Sequence, residues 1–171
     1  MPWPDESEIK ARENFRQALY QLRRACGGSE LADEFFAITR STIQFRADSP
    51  HTLDAHQFEQ AVADGDWGTA TELYQGEFLS NFYSDEAFQL DEWQSATRQY
   101  LHQFAIHSFT ELAKQAEVDN PAHAIYAARL LLELEAWAEE GHRVLMRIWA
   151  TQGRQMEALA QYEKCADILD E

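Results

Sequence analysis

The sequence predicts a mainly α-helical protein in which antiparallel helical repeats follow a shorter helix and a β-hairpin. Three observations predict this fold class. Apolar residues recur at helical spacing through most of the chain, two segments of the last third repeat each other, and strand-forming residues cluster only after the first helix. The 171 residues, of which 45% are hydrophobic, are enough for a buried core and argue against disorder.

The repeat lies in the last third of the chain and has a period of 34 residues, which is the period of tetratricopeptide repeats. In both copies a turn residue is followed at fixed steps by small or apolar residues, which let two helices pack closely. The matched positions are Asp119, Ala124, Ala128 and Leu131 in the first copy and Gly153, Ala158, Tyr162 and Cys165 in the second. The early consensus Trp, Leu-Gly and Tyr are replaced in both copies. A tetratricopeptide-like architecture is therefore favoured over a standard peptide-binding array.

The first element is predicted to be an amphipathic helix that begins after Ser7, a good N-cap, and ends near Ala25, before Gly27 and Gly28. Its apolar face consists of Ala11, Phe15, Ala18, Leu19, Leu22 and Cys26. Amide and guanidinium side chains lie off that face or flank it, namely Arg12, Asn14, Arg16, Gln17, Gln21, Arg23 and Arg24.

Residues 33–46 are predicted to form a β-hairpin around a break at residues 39–41, so that Arg40 lies at its tip. A polar helix followed by a basic-tipped hairpin is typical of a winged helix, in which the helix enters the major groove and the hairpin reaches the DNA backbone or minor groove. Residue types alone leave a second interpretation open. The helix could equally be an ordinary amphipathic helix with a solvated basic face, beside an unrelated hairpin.

After a linker at residues 47–50, the remaining chain is predicted to be helical with short connections. The predicted helices span 53–63, 66–74, 86–117 with Ser84 as N-cap, 121–135, 138–152 and 154–169. In the long helix one inward stripe is predicted to be Leu90, Trp93, Ala96, Tyr100, Phe104 and His107. A neighbouring stripe of Leu101, Ala105, Phe109 and Leu112 widens the apolar face, so we expect this helix to be covered on more than one side. We interpret His107 as a core histidine.

Charge divides the chain into two parts. Residues 1–47 hold seven basic and seven acidic side chains, whereas residues 48–171 hold seven basic and 23 acidic ones. The uneven distribution suggests two modules with different partners. The alternative for the acidic part is a surface that only keeps the protein in solution.

No catalytic, cofactor or metal motif is present. The sequence lacks a phosphate-binding loop, a zinc-protease motif, a nucleophile elbow and a calcium loop, and its paired histidines are five apart, which is wrong for a shared metal. Cys26 and Cys165 have neither metal nor redox spacing. No apolar run is long enough to cross a membrane. We expect a cytoplasmic protein that is not an enzyme and needs no cofactor.

Two groups of motifs resemble known families. Residues 2–5 with residues 11–25 (ARENFRQALYQLRRA) resemble the end of the second helix and the recognition helix of antibiotic-regulatory-protein-type bacterial activators, which carry a response-regulator-type winged helix. The remainder is similar to the bacterial transcriptional activator domain. Its marks are LYQGEFL at 73–79, the long helix, HRVLMR at 142–147 and GRQMEALAQYE at 153–163.

The resemblance implies a sequence-specific transcription activator. Residues 1–47 would be a partial winged-helix DNA-binding domain, and residues 48–171 the activator domain. The residues facing DNA would be Arg12, Asn14, Arg16, Gln17, Gln21, Arg23 and Arg24, with Arg40 on the wing. The helical domain would bind RNA polymerase or another protein, with homodimerisation as a further candidate.

The resemblance also implies that the sequence is part of a longer regulator. A complete winged helix has a sheet and two helices before the recognition helix, so the chain resembles a fragment whose parent binds the DNA. The alternative function is a tetratricopeptide-like interaction module of a signalling protein that does not bind DNA.

Overall fold

The computed structural model describes residues 6–39, 42–82 and 88–170, the side chains of residues 88 and 89 excepted. The chain forms two compact units, Met1–His51 and Thr52–Glu171. Each unit is described by itself below.

The first unit begins with helix α1, Glu8–Ala25, and its predicted N-cap is confirmed because the Ser7 hydroxyl accepts from the Lys10 amide at 3.4 Å. Gly27, with φ +85°, ends the helix in a conformation that glycine adopts without strain. Helix α2, Ser29–Phe35, follows. Strands β1, Phe36–Ile38, and β2, Ile43–Phe45, then pair antiparallel, with Phe36 opposite Phe45.

The hairpin is confirmed, but it is shorter than predicted and the helix before it was missed. Residues 33–35 were assigned to the first strand and instead complete α2. Glu30, Leu31 and Ala32 are good helix formers, and Ala32 is fully buried. The aromatic pair Phe35-Phe36 obscured this signal because aromatic residues are typical of strands.

The second unit is a run of helices in which each packs against the next, and α3 and α7 also contact α5. The helices are α3 Asp54–Asp64, α4 Trp67–Leu73, α5 Phe88–Ala116, α6 Pro121–Leu134, α7 Glu139–Thr151 and α8 Gln155–Asp170. Asp66 caps α4 by accepting from the Thr69 amide, and Asn120 caps α6 by accepting from the His123 amide. The mainly α fold, with a helix and hairpin before helical repeats, is confirmed. The predicted cap Ser84 and the predicted start of α5 at residue 86 lie outside the described residues.

The core of this unit consists of two clusters that share the central helices. One lies between the end of α5, α6 and α7, and its buried members are Leu112, Ala113, Ala116, Ala124, Ala127, Ala128, Val144, Leu145, Ile148 and Trp149. The other joins α3, α4 and the middle of α5 to Leu131 of α6. Small residues dominate α6, where Ala124, Ala127 and Ala128 are fully buried, so its neighbours can approach closely.

Both stripes of α5 were predicted to face inward, and only one of them is buried. The neighbouring stripe of Leu101, Ala105, Phe109 and Leu112 is the buried one. On the other stripe, Trp93 is 51% exposed and Tyr100 49% exposed. His107 is also exposed, with its ring edge-to-face against Trp67 at 5.1 Å, so the core-histidine interpretation was wrong. Both stripes have helical spacing, and periodicity alone cannot tell which one faces the neighbouring helices.

Candidate nucleic-acid interface

Helix α1 carries all of the predicted DNA-facing residues except Arg40, which lies outside the described residues. The helix is held by its apolar side, on which Ala11 is buried and Phe15, Leu19 and Leu22 are half-buried. The polar side chains are therefore turned away from this contact. The helix is 18 residues long.

The amide side chains form one row on α1. At about 100° per residue, Asn14, Gln17 and Gln21 lie within an arc of roughly 60°. Gln17 and Gln21 are exposed, whereas Asn14 is half-buried at the edge of the row. We call these three residues the amide row. Amide groups that are free of internal partners can each both donate and accept a hydrogen bond.

Arg12, Arg16 and Arg23 form a second row, within an arc of roughly 40°. Two members of this arginine row are in ion pairs: Arg12 Nη2 lies 2.6 Å from Glu8 Oε1, and Arg23 Nη2 lies 3.7 Å from Asp33 Oδ1. Arg16 has no ion-pair partner among the described residues. Arg24 lies between the two rows, on the side of the helix opposite its apolar face. Both ion pairs lie on the surface, where such pairs stabilise a protein by less than about 1 kcal/mol.

A basic hollow lies where α1 ends and α2 begins. Its volume is 460 Å³, and it is lined by Arg16, Leu19, Tyr20, Arg23, Arg24, Gly28 and Ser29. The Nε atom of Arg23 is buried there without a hydrogen-bond partner in the described part of the chain. The hollow thus gathers three arginines and two hydroxyl-bearing residues, which together are suited to an anion such as phosphate.

Tyr20 and Lys10 were not among the predicted site residues but share the polar side of α1. Tyr20 is 60% exposed and lines the basic hollow, and Lys10 is exposed and paired with Glu6 at 2.7 Å. The helical spacing places Tyr20 about 40° from Arg16, so the same periodicity could have identified it. Lys10 was counted among the basic residues but was not assigned to the interface.

The hairpin is closed by hydroxyl groups on either side of its tip. Thr39 Oγ1 and Thr42 Oγ1 lie 2.6 Å apart, and the Thr42 amide donates to Thr39 Oγ1 at 3.0 Å. At the other end, the rings of Phe36 and Phe45 pack edge-to-face at 5.6 Å. These contacts fix both ends of the hairpin, and Arg40 lies between Thr39 and Thr42 in the sequence, outside the described residues.

The second unit has a large excess of acidic side chains, and several of its basic side chains pair with its own acids. Arg147 binds Glu117 through Nε at 2.7 Å and Glu140 through Nη2 at 3.0 Å, while Arg143 binds Glu139 at 2.6 Å. Since residues 48–171 hold 23 acidic side chains, most of the acids remain without a basic partner. Such a surface repels a nucleic-acid backbone.

The described residues contain no group of three or more His, Cys, Asp or Glu side chains placed to hold a metal ion. Within the same residues, no helix combines the length and apolar character that crossing a membrane requires.

Residues 44–171 match the family described as BTAD, bacterial transcriptional activator domain. No curated protein and no solved structure gives a significant match to the chain.

Proposed function

Because the chain belongs to the bacterial transcriptional activator domain family, which is not an enzyme family, we propose that it is part of a transcription activator with two binding surfaces. Residues 1–47 bind promoter DNA as the C-terminal part of a winged helix. Residues 48–171 bind protein. The observation that carries the DNA-binding half of this proposal is the arrangement of amide and arginine rows on the outer side of α1.

In this proposal α1 is the recognition helix and lies in the major groove. The amide row reads base edges, since Asn and Gln can pair bidentately with adenine through both its N6 and N7 atoms. Gln17 and Gln21 are exposed and free to do so, and Asn14 reaches the groove from the edge of the row. Arg24, between the two rows, is placed to pair with guanine.

The arginine row binds the DNA backbone. The basic hollow at the end of α1 accepts one phosphate between the guanidinium groups of Arg16 and Arg23. Arg12 and Arg23 exchange Glu8 and Asp33 for phosphate oxygens, which costs little because those ion pairs are exposed. Arg40 contacts the backbone from the hairpin.

The acidic second unit supports contact with protein rather than DNA. RNA polymerase or another protein binds to the helical surface, and a second copy of the chain is a further candidate partner. Helical repeats suit this role because stacked helices present an extended surface. The protein acts in the cytoplasm, where promoter DNA and polymerase are found.

The proposal is tested with single substitutions in the full-length regulator bound to promoter DNA. Gln17→Ala and Asn14→Ala each remove base contacts and should weaken specific binding by about 1–3 kcal/mol, while relaxing the preference at one position. Arg16→Ala removes a phosphate contact. It should weaken binding to all sequences alike and reduce the salt slope by about one.

The control is Arg129→Ala, which removes an exposed arginine from α6 in the acidic unit. It changes the net charge as Arg16→Ala does, and should leave DNA affinity unchanged. Equal effects of Arg16→Ala and Arg129→Ala would show that α1 contributes only its charge. Unchanged binding after all three α1 substitutions would refute the assignment of α1 as the recognition helix.

A further inference from the structure

Helix α8 leaves uncovered an apolar stripe that its counterpart α6 buries. The α8 stripe consists of Leu159, Tyr162, Ala166 and Leu169, which lie within an arc of roughly 80° and extend over about 15 Å of helix. Leu159 is 52% exposed, Tyr162 59% and Leu169 52%. Ala166 is half-buried. Three exposed apolar residues in line on one helix face exceed the scattered apolar residues of an ordinary surface.

The 34-residue offset shows what kind of element fits this stripe. The positions of α6 equivalent to Leu159, Tyr162 and Ala166 are Ile125, Ala128 and Leu132. Ala128 belongs to the core cluster between α5, α6 and α7, and the partly buried Ile125 and Leu132 pack against that cluster. The contact is so close that a Cβ atom on Gly141 of α7 would lie 3.0 Å from Leu132 Cγ and 3.3 Å from the Ala128 carbonyl oxygen. A helix packed on α8 as α7 packs on α6 would cover the α8 stripe.

The charged residues beside the α8 stripe indicate what kind of helix could bind to it. On the side of the α8 stripe that faces away from α7, the flanking residues include Glu163 and Asp170, followed by Asp167. None of these three acids has an ion-pair partner in the described part of the chain. Lys164, the only basic residue of α8, lies about 180° from the centre of the stripe. A basic flank on the incoming helix would therefore meet unpaired carboxylates.

A second copy of the chain fits this surface poorly. In an antiparallel pair of identical helices related by a two-fold axis, each side of the apolar stripe on one helix faces the same side of the stripe on the other helix. Glu163 and Asp170 would then face the partner's Glu163 and Asp170. Like charges opposite each other are destabilising, and each chain has a net charge of -16.

We propose that the outer face of α8 binds an amphipathic helix of another protein, whose apolar stripe is flanked by lysine or arginine. This inference deepens the protein-binding part of the proposed function. Its test contains no DNA, so its failure would leave the promoter-binding assays of α1 unaffected.

The probe is a synthetic peptide of about 20 residues, long enough to form a helix, with leucines at helical spacing and lysines elsewhere. A second peptide replaces each lysine with glutamate. Binding of each labelled peptide to the intact chain is followed by fluorescence anisotropy. The lysine peptide should bind and the glutamate peptide should not.

Two substitutions locate the binding surface. Tyr162→Glu places a charge in the α8 stripe and should weaken binding of the lysine peptide at least about tenfold, despite adding a carboxylate. Its matched control is Tyr126→Glu, at a tyrosine of α6 that is 50% exposed. Similarly, Glu163→Lys should weaken binding, whereas Glu133→Lys, with the same change in net charge on α6, should not. Both tyrosines and both glutamates are exposed, so the fold should survive each change.

Three results would overturn the inference. The lysine peptide could fail to bind the intact chain, or the site and control variants could weaken binding equally, which would show general attraction to an acidic surface. Sedimentation could instead reveal a dimer of the chain that Tyr162→Glu dissociates, which would assign the α8 stripe to a second copy.

Discussion

The imidazole of His142 is hydrogen-bonded to Gln161, and this contact joins α7 to α8. Gln161 Nε2 lies 2.6 Å from His142 Nδ1, and His142 Nε2 lies 2.9 Å from the Ala136 carbonyl oxygen. A carbonyl can only accept, so Nε2 carries the proton and Nδ1 accepts from the Gln161 amide. His142 is only 1% exposed, and both of its ring nitrogens are satisfied.

Replacing His142 with Ala should lower the free energy of unfolding by about 2–4 kcal/mol, because it leaves a cavity and removes the partner of the buried Gln161 amide. Urea unfolding followed by circular dichroism measures the change. His56→Ala, at an exposed position of α3, is the control and should change stability by less than about 0.5 kcal/mol. A loss as small as that of the control would mean that His142 does not hold the two helices together.

Gly141 is required by packing and not by its backbone conformation. Gly141→Ala would place Cβ 3.0 Å from Leu132 Cγ and 3.3 Å from a backbone oxygen that cannot move aside. We expect a loss of about 1–2 kcal/mol, although alanine favours helices. Gly68→Ala in α4 is the matched control, since its nearest neighbour would be Asp66 Oδ1 at 3.7 Å. Thermal unfolding should show opposite signs for the two variants, with Gly68→Ala stabilising. Stabilisation by both would refute the close approach of α6 and α7.

Arg147 links the end of α5 to α7 through a bidentate contact with Glu117 and a further bond to Glu140. The hydrogen bonds to Glu117 raise the pKa of Arg147. Arg147→Met should lower the free energy of unfolding by about 0.5–1.5 kcal/mol. The bidentate pair holds both side chains in one geometry and joins helices that are far apart in the sequence. Arg143→Met, which breaks an exposed pair between neighbours four residues apart, should cost only about 0.3 kcal/mol. Chemical unfolding of both variants compares them directly, and equal costs would contradict the distinction.

The stabilisation that Asp66 gives to the start of α4 depends on pH. The Asp66 side chain accepts hydrogen bonds from the Thr69 hydroxyl at 2.7 Å and amide at 3.1 Å, and these lower the pKa of Asp66 below its usual 3.8. A lowered carboxyl pKa stabilises the fold above the unfolded-state value, and this stabilisation is lost as the pH falls through the folded-state value. Thr69→Val removes the hydroxyl donor and should raise the pKa of Asp66 towards 3.8. NMR titrations of the Asp66 carboxyl carbon in the unmodified protein and in Thr69→Val measure this pKa. The same pKa in both proteins would contradict the prediction.

How far the sequence predicts the fold depends on which physical signal each element carries. Ser7, Asn120 and Pro121 mark helix starts through local chemistry, so α1 and α6 were predicted within a residue or so. Both apolar stripes of α5 were predicted to face inward, and contacts with α3, α4 and α6 decide that only one of them is buried. Helix α2 was missed since seven residues carry too little periodicity beside two aromatic residues.

The candidate interface was predictable in composition but not in arrangement. Residue types indicated Arg, Asn and Gln on α1, and helical spacing separates them into the amide and arginine rows. The ion pairs of Arg12 with Glu8 and of Arg23 with Asp33 were not predicted, and the second depends on how α2 turns back after Gly27. The basic hollow depends on the same turn. The equivalence of α6 and α8 was visible in the sequence, whereas the exposure of Tyr162 was not.

The most direct test of the central claim is a titration of promoter DNA at two salt concentrations, with the full-length regulator and its Arg16→Ala/Arg23→Ala variant. If α1 binds DNA, the full-length regulator should bind tightly and its affinity should fall steeply with salt. The slope should be lower by about two in the variant, since each phosphate contact contributes about one to the slope. Identical affinity and slope in the two proteins would contradict the assignment of α1 to DNA. The polar side of α1 would then be a solvated helix face.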